Sequence, residues 1–91
     1  MWKLIPLAAA LGSTNLAFAD AQCTRADRST WQQESIFRSA MKQQGYRITK
    51  FRVTPGNCYE IYAFNPQSDR VELYFHPVTF ALVKAEPVLR R

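Results

Sequence analysis

Cys58-Tyr59-Glu60-Ile61-Tyr62-Ala63-Phe64, Asn65-Pro66-Gln67-Ser68-Asp69 and Arg70-Val71-Glu72-Leu73-Tyr74-Phe75-His76-Pro77-Val78-Thr79 follow one another without a break, and this stretch decides the fold. Two runs of alternating apolar and polar residues flank a five-residue segment rich in Asn, Pro, Ser and Asp, which is the pattern of a β-hairpin. Successive side chains of a strand point to opposite faces. Tyr59 and Ile61 should therefore share one face, and Tyr62 and Phe64 the other. On the second strand Val71, Leu73 and Phe75 oppose Glu72 and Tyr74, so one face is buried and the other wet.

The buried face needs a cover, and the residues upstream offer one. Thr30 can cap a helix, with Gln33 three residues later as in a capping box. Asp27 and Glu34 put negative charge at the same end, which suits the helix dipole. Ile36, Phe37, Ala40 and Met41 fall on one stripe at helical spacing, opposite Ser35, Arg38, Lys42 and Gln43. Gly45 stops the helix by taking the left-handed conformation without a Cβ clash. A helix of about 14 residues is predicted, with its apolar side on the sheet and Trp31 plugging the end of the core. Tyr46 to Val53, interspersed with Arg47, Lys50 and Arg52, reads as an edge strand. Thr54 to Asn57 reads as a turn, with Pro55 setting φ and Gly56 supplying a positive φ. His76 to Thr79 is a second tight turn. Phe80 to Ala85 is the last strand, ended by Glu86-Pro87 because Pro cannot continue a ladder. The expected fold is α+β: one N-terminal helix packed on a short antiparallel β-meander of three to four strands.

The first residues read differently. Lys3, the apolar run Leu4 to Leu11 and Ala17-Phe18-Ala19 form a secretory signal peptide over residues 1–19, cleaved before Asp20. The apolar run is shorter than the ~20 residues of a bilayer span, and Gly12-Ser13-Thr14-Asn15 interrupts it. A lipidated cysteine normally follows a small residue, whereas Gln22 precedes Cys23. Residues 20–91 then form one domain, with an arm at 20–29, a core at 30–86 and a tail at 87–91. Such a length is marginal for a single hydrophobic core and calls for a further constraint. The two cysteines, Cys23 and Cys58, provide it as a disulfide in an oxidising compartment. Restricting the unfolded chain over 35 residue steps (58 − 23) is worth roughly 3–4 kcal/mol. The alternatives, a redox pair or a metal pair, lack the CxxC spacing or a ligand set, since the chain has one His. Without Lys3 the balance is 11 basic against 7 acidic residues, a formal +4. The charges are scattered, which describes a solubilising surface; the sharper reading is an acidic protein partner or an anionic membrane face. Nucleic acid is not expected outside the cell, nor stable membrane insertion after signal cleavage.

Several short motifs in order resemble the PepSY family, small exported or membrane-attached bacterial domains also found within metallopeptidase propeptides. From Trp31 to Lys84 a helix ends in Gly45-Tyr46, a strand Cys58-Tyr59-Glu60-Ile61-Tyr62 follows, and Val71-Glu72-Leu73-Tyr74-Phe75 runs into His76-Pro77-Val78-Thr79. The family's pattern is similar: Gly-Tyr, Tyr-Glu-Val, an Asp-Gly-containing turn, then a strand into Asp-Pro-x-Thr-Gly. The chain departs from it at His76, where the family has Asp, at Phe80, where it has Gly, and at Ser68-Asp69-Arg70, which lacks the Gly of the first loop. A Phe at a position of positive φ is costly, so a turn of another type or register is expected at His76–Phe80. The resemblance implies binding and regulation of a peptidase or another extracytoplasmic partner, with no catalytic residue to carry over.

The residues themselves give little chemistry. His76 is either a pH-sensitive or ligand-binding turn residue or a local hydrogen-bonding substitute for Asp. Glu60 and Glu72 lie on neighbouring strands and are either an acid/base pair or solvent-facing partners of Arg47, Lys50 or Arg52. One His cannot assemble a nucleophile, base and orienter, so an enzyme is not expected, nor any cofactor or metal. Tyr46, Phe51, Tyr59, Tyr62, Phe64, Tyr74, Phe75 and Phe80 are too many for one covered face. Some must lie on the helix-free side, either as ordinary cross-strand pairs or as a patch that docks a protein or a second copy. Tyr59, Tyr62, Tyr74 and His76 are the candidate partner-binding residues. Three functions follow: a non-catalytic periplasmic or secreted binding module whose partner is a peptidase or a membrane-associated sensor; an inhibitor of a secreted or periplasmic peptidase; and a self-associating envelope protein, that is, a homo-oligomer.

Overall fold

The computed structural model describes residues 21–88, so the segment read as an export signal lies outside them, as does most of the tail. One turn of 3-10 helix at Arg28–Thr30 precedes a helix, α1 (Glu34–Gln43). Four strands follow: β1 (Arg47–Val53), β2 (Tyr59–Phe64), β3 (Arg70–Phe75) and β4 (Leu82–Pro87). They pair antiparallel in the order β1-β2-β3-β4, so the architecture is α+β, a helix and a four-stranded meander.

The central hairpin has the expected faces. Tyr59 pairs with Phe75, Ile61 with Leu73 and Ala63 with Val71; between these rows lie Glu60 with Tyr74, Tyr62 with Glu72 and Phe64 with Arg70. The first set is the core. Phe37, fully buried, stands over it from α1 and meets the rings of Tyr59, Phe75 and Phe80 edge-on, with centroids 5.2, 5.2 and 5.1 Å away. Such pairs add to the area burial because a ring's positive edge meets a negative face. Met41, one turn further on, is buried beside it. Trp31 closes one end, its ring edge-on to Tyr59 at 5.7 Å.

Four readings need correction. Thr30 does not cap α1: its hydroxyl donates to Asp27 O, while the Asp27 carboxylate accepts from Ser29 N–H and caps the 3-10 turn. Between the two helical pieces Trp31 Nε1 donates to Ala26 O and Gln32 N–H to Pro77 O. These bonds, one local and one long-range, hold the chain extended, so α1 starts at Glu34 and has 10 residues. Ile36 is not in the core but half exposed. Arg38 lies over the Phe51 ring of β1, and Ile36, about 200° round the helix from Arg38, hangs off the opposite flank. The positive φ of the first turn is at Asn57 (63°), not Gly56. Gly56 is required for another reason, since a Cβ there would stand 2.0 Å from Ala21 O. Finally, β4 runs to Pro87, which pairs with Val71 at the sheet's edge, where a missing N–H breaks no ladder.

Other readings hold. Gly45 ends α1 with φ 93°, and β1 is an edge strand. Cys23 and Cys58 are disulfide-bonded. The same arm is tied down by Cys23 N–H to Gly56 O and by Asn57 Nδ2 to Thr24 O.

Candidate functional site

Among the described residues no helix covers the side of the sheet away from α1, and its residues form three cross-strand rows. The first runs Arg52, Glu60, Tyr74, Lys84; the second Lys50, Tyr62, Glu72, Glu86; the third Arg47, Phe64, Arg70. Each ring in these rows has a cation beside it. Arg47 and Arg70 flank Phe64 at 4.7 and 5.5 Å, Lys50 sits 5.7 Å from Tyr62, and Lys84 sits 5.3 Å from Tyr74. A cation over a ring face is attracted by its quadrupole, by ~0.5–1 kcal/mol where exposed. The rows therefore hold long side chains in place on a face that no second layer covers among the described residues.

At the centre lies Glu60, only 1% exposed. A buried carboxylate is tolerated only if paired and hydrogen-bonded, and Glu60 forms an ion pair with Arg52 and a hydrogen bond with Glu72. Tyr74 in turn donates its hydroxyl to Glu72 Oε2 at 2.6 Å. Burial works against the Glu60 charge, but the hydrogen bonds from Glu72 and Arg52 outweigh it and hold Glu60 below the ordinary carboxylate range. Glu72 moves the other way: its hydrogen bond to Glu60, then burial, raise it. Two adjacent carboxyls do not ionise together readily, so as pH falls the pair takes up its first proton on Glu72. Burial and the acceptor Glu72 also push the Tyr74 phenol up, so Tyr74 is a hydrogen-bond donor at any physiological pH. Arg52 is raised by its bond to Glu60.

This arrangement predicts a pH effect. Glu72 binds its proton more tightly folded than unfolded, so its contribution is fully present below the unfolded carboxylate value and is lost as pH rises through the raised folded one. Glu60 acts oppositely: its contribution is present above the unfolded value and lost as pH falls through the lowered folded one. Glu72→Gln keeps a donor to Glu60 at every pH. Its melting temperature should stay level as pH rises out of the ordinary carboxylate range, where that of the wild type falls. Thermal melts by circular dichroism check this, and parallel profiles for the two proteins would contradict a first proton taken up on Glu72.

Of the residues named from sequence, Tyr62 and Tyr74 lie on this face, both half-buried. Tyr59 does not. It is 5% exposed on the helix side, its hydroxyl donating to Gln32 O at 2.5 Å, and a residue packed between Trp31, Phe37 and Phe51 has no surface for a partner. His76 lies in the turn after β3, where its Nδ1 accepts from Val78 N–H at 3.1 Å. That is the local bond an Asp side chain would make. Phe80 keeps the left-handed position (φ 65°) that was expected to move; its N–H donates to His76 O and its ring packs on Phe37. His76→Asp should thus leave the melting temperature within about 2 °C, while His76→Ala loses about 1 kcal/mol; equal losses in both would deny the Nδ1 bond its role. What sequence reading undervalued is the basic companions of the rings. The signal was present: Lys50 and Arg52 alternate on one strand in step with Tyr62 and Glu60 on the next.

Chemically the face can bind but has little to react with. Both carboxyls are engaged by neighbours, and a hollow of about 230 Å³ lined by Thr49, Tyr62, Phe64, Arg70 and Val88 does not include them. Among the described residues no three His, Cys, Asp or Glu side chains gather to hold a metal, and no helix is long and apolar enough to cross a membrane.

No curated protein and no solved structure matches the chain. A family model does, over residues 3–86, nearly the whole sequence. Its description is "Peptidase propeptide and YPEB domain", a class of propeptide-like modules typically found outside the cytoplasm, a setting that suits the disulfide. With the helix, the meander and the matched span in agreement, the chain belongs to the PepSY family of peptidase propeptide and YPEB domains.

Proposed function

We propose that this protein is a non-catalytic periplasmic or secreted module, exported by the signal at 1–19, that docks a protein partner through the helix-free face of its sheet. The observation that carries this reading is the plane of braced rings and cations. Aromatic and Arg side chains held in fixed positions lose little entropy on binding, which is why they dominate interface energetics. Arg47, Lys50 and Arg70 have no ion-pair partner among the described residues, so the face favours an acidic partner surface.

A peptidase is the first partner to test, because the family is named for peptidase propeptides; a membrane-associated sensor is the second. Inhibition would use a projecting segment. The Cys23 arm is tied to Gly56 and the disulfide, which leaves Asn65–Asp69, whose Asn65 Oδ1 accepts from Gln67 and Asp69 N–H. The protein should be cross-linked in cells beside a Lys50→Glu, Arg70→Glu variant and a Lys42→Glu control on α1. The expected result is one stoichiometric neighbour, retained by the control and lost at least tenfold by the face variant. Equal capture by all three would sink the docking face, and inhibition of a captured peptidase that survives the face variant would favour the loop.

A further inference from the structure

The helix-free face is not flat. Where β1 begins and β4 ends, a hollow of about 230 Å³ opens in it, lined by Thr49, Tyr62, Phe64, Arg70, Val71 and Val88 among others. Two features of the chain shape it. The register slips between Ile48 and Lys50, so Thr49 is an extra residue on β1 with no partner on β2, and such a bulge bends its strand. The Thr49 hydroxyl donates to Tyr62 O at 3.1 Å and fastens the bulge there. Across the sheet, Val88 N–H donates to Arg70 O at 3.2 Å, which carries the chain past Pro87 and sets Val88 on the rim. The walls are of two kinds. Phe64, Val71 and Val88 are apolar, whereas Arg70 is a cation. The Arg70 and Arg47 guanidiniums lie 5.5 and 4.7 Å from the centre of the Phe64 ring, and neither has an ion-pair partner among the described residues. A second hollow, of about 360 Å³, adjoins at Arg70 and has Asp69 on its wall, so an anion is favoured towards Arg47 and opposed towards Asp69.

We infer that this hollow takes the C-terminal residue of a partner chain, its apolar side chain against Phe64 and Val88 and its free carboxylate on Arg70 and Arg47. Size sets the first part. Sites for whole small molecules run to about 300–1,000 Å³, so the hollow has room for a side chain and little more. Charge sets the second, since the planar fork of an arginine matches a carboxylate with two parallel hydrogen bonds. A terminus fits better than an internal acidic residue because its carboxylate and its side chain leave the same Cα. Here cation and apolar wall are equally close, joined through the one ring of Phe64. The inference rests on the docking reading and names what one end of that face holds.

The test is an NMR titration of isotope-labelled protein, purified disulfide-intact from cells expressing the full chain. The probe is a glycine-serine peptide ending in leucine, taken to about 2 mM, where one anchored residue should register. The amide signals of Thr49, Arg70 and Val88 should move with the free-acid peptide. The same peptide amidated, or an amidated one with aspartate before its leucine, should bind about tenfold more weakly or worse, its charge-assisted bonds lost or misplaced. A free acid ending in glycine leaves the hollow empty and should lose about as much. Arg70→Gln should weaken binding about tenfold, and so should Val88→Trp, which fills the hollow from its rim. Lys84→Gln, elsewhere on the same face, should change nothing. Leu89→Ser should be neutral too; a gain of about tenfold there would make the chain's own tail the occupant and overturn the inference. Circular dichroism melts confirm that each variant is folded. No binding of the free acid, equal binding of either amide, or binding indifferent to Arg70→Gln would each overturn it as well. Because no partner is needed, these outcomes leave the face itself to be judged by the cross-linking result.

Discussion

Phe37→Ala should leave no cooperatively folded domain at 37 °C. Phe37 is 0% exposed and its ring centroid lies within 6 Å of those of Phe51, Tyr59, Phe75 and Phe80. It ties the helix to three strands and to the Phe80 turn. Truncating a buried Phe costs about 3–5 kcal/mol, part of it lost transfer energy and part the cavity left behind. A core of this size rarely supplies more than about 3–5 kcal/mol of net stability by itself, so the truncation removes the core's share and leaves the disulfide with no packed core to fasten. Near-UV circular dichroism should collapse, and the urea midpoint should fall towards zero. Phe37→Leu, which keeps most of the volume, should remain folded with a lowered midpoint. An alanine variant that melts as the wild type does would show that the helix is not held by this ring.

The second large effect is the disulfide. Replacing both Cys23 and Cys58 by serine should cost about 2–5 kcal/mol, and a reducing agent should act on the wild type to the same extent. Two contributions add up here. The bridge spans 35 residues and so restricts the unfolded chain, and it also fastens the arm that leads into Trp31 and Gln32 at the end of the core. Cys58 is fully buried, so a serine hydroxyl there enters a site built for sulfur. Gly56→Ala probes the same junction without touching the bridge: its Cβ would collide with Ala21 O, and the arm should loosen, seen as faster amide exchange at Cys23. An unchanged melting temperature in the double serine variant would remove the staple from the account.

The hairpin was legible because its alternation is strict, and strict alternation fixes both faces and register at once. Cys58 and Cys23 were legible from count and compartment. Gly45 was legible because a helix stop needs little beyond itself. The helix start was not, because what delays it lies far off in the chain: Gln32 bonds to Pro77 and, through its side chain, to Val78 O. Phe80 was misjudged for a similar reason. Backbone strain of a positive φ argues against Phe, but the ring's packing on Phe37 repays it, and no local pattern reveals that contact. The face itself was half legible. Glu60 and Glu72 were named together and Arg52 among their partners, but not that both relations hold simultaneously, since a diagonal between strands appears only once the register is known.

A two-faced sheet also divides the labour of change. Positions 59, 61, 63, 71, 73 and 75 are committed to the core, while 50, 52, 62, 72, 74 and 84 meet the outside. Because the two sets interleave at a period of two, drift in the second set can rewrite the outer face without disturbing the first. A small scaffold of this kind can change the surface it presents through substitution at alternate residues alone, keeping its architecture.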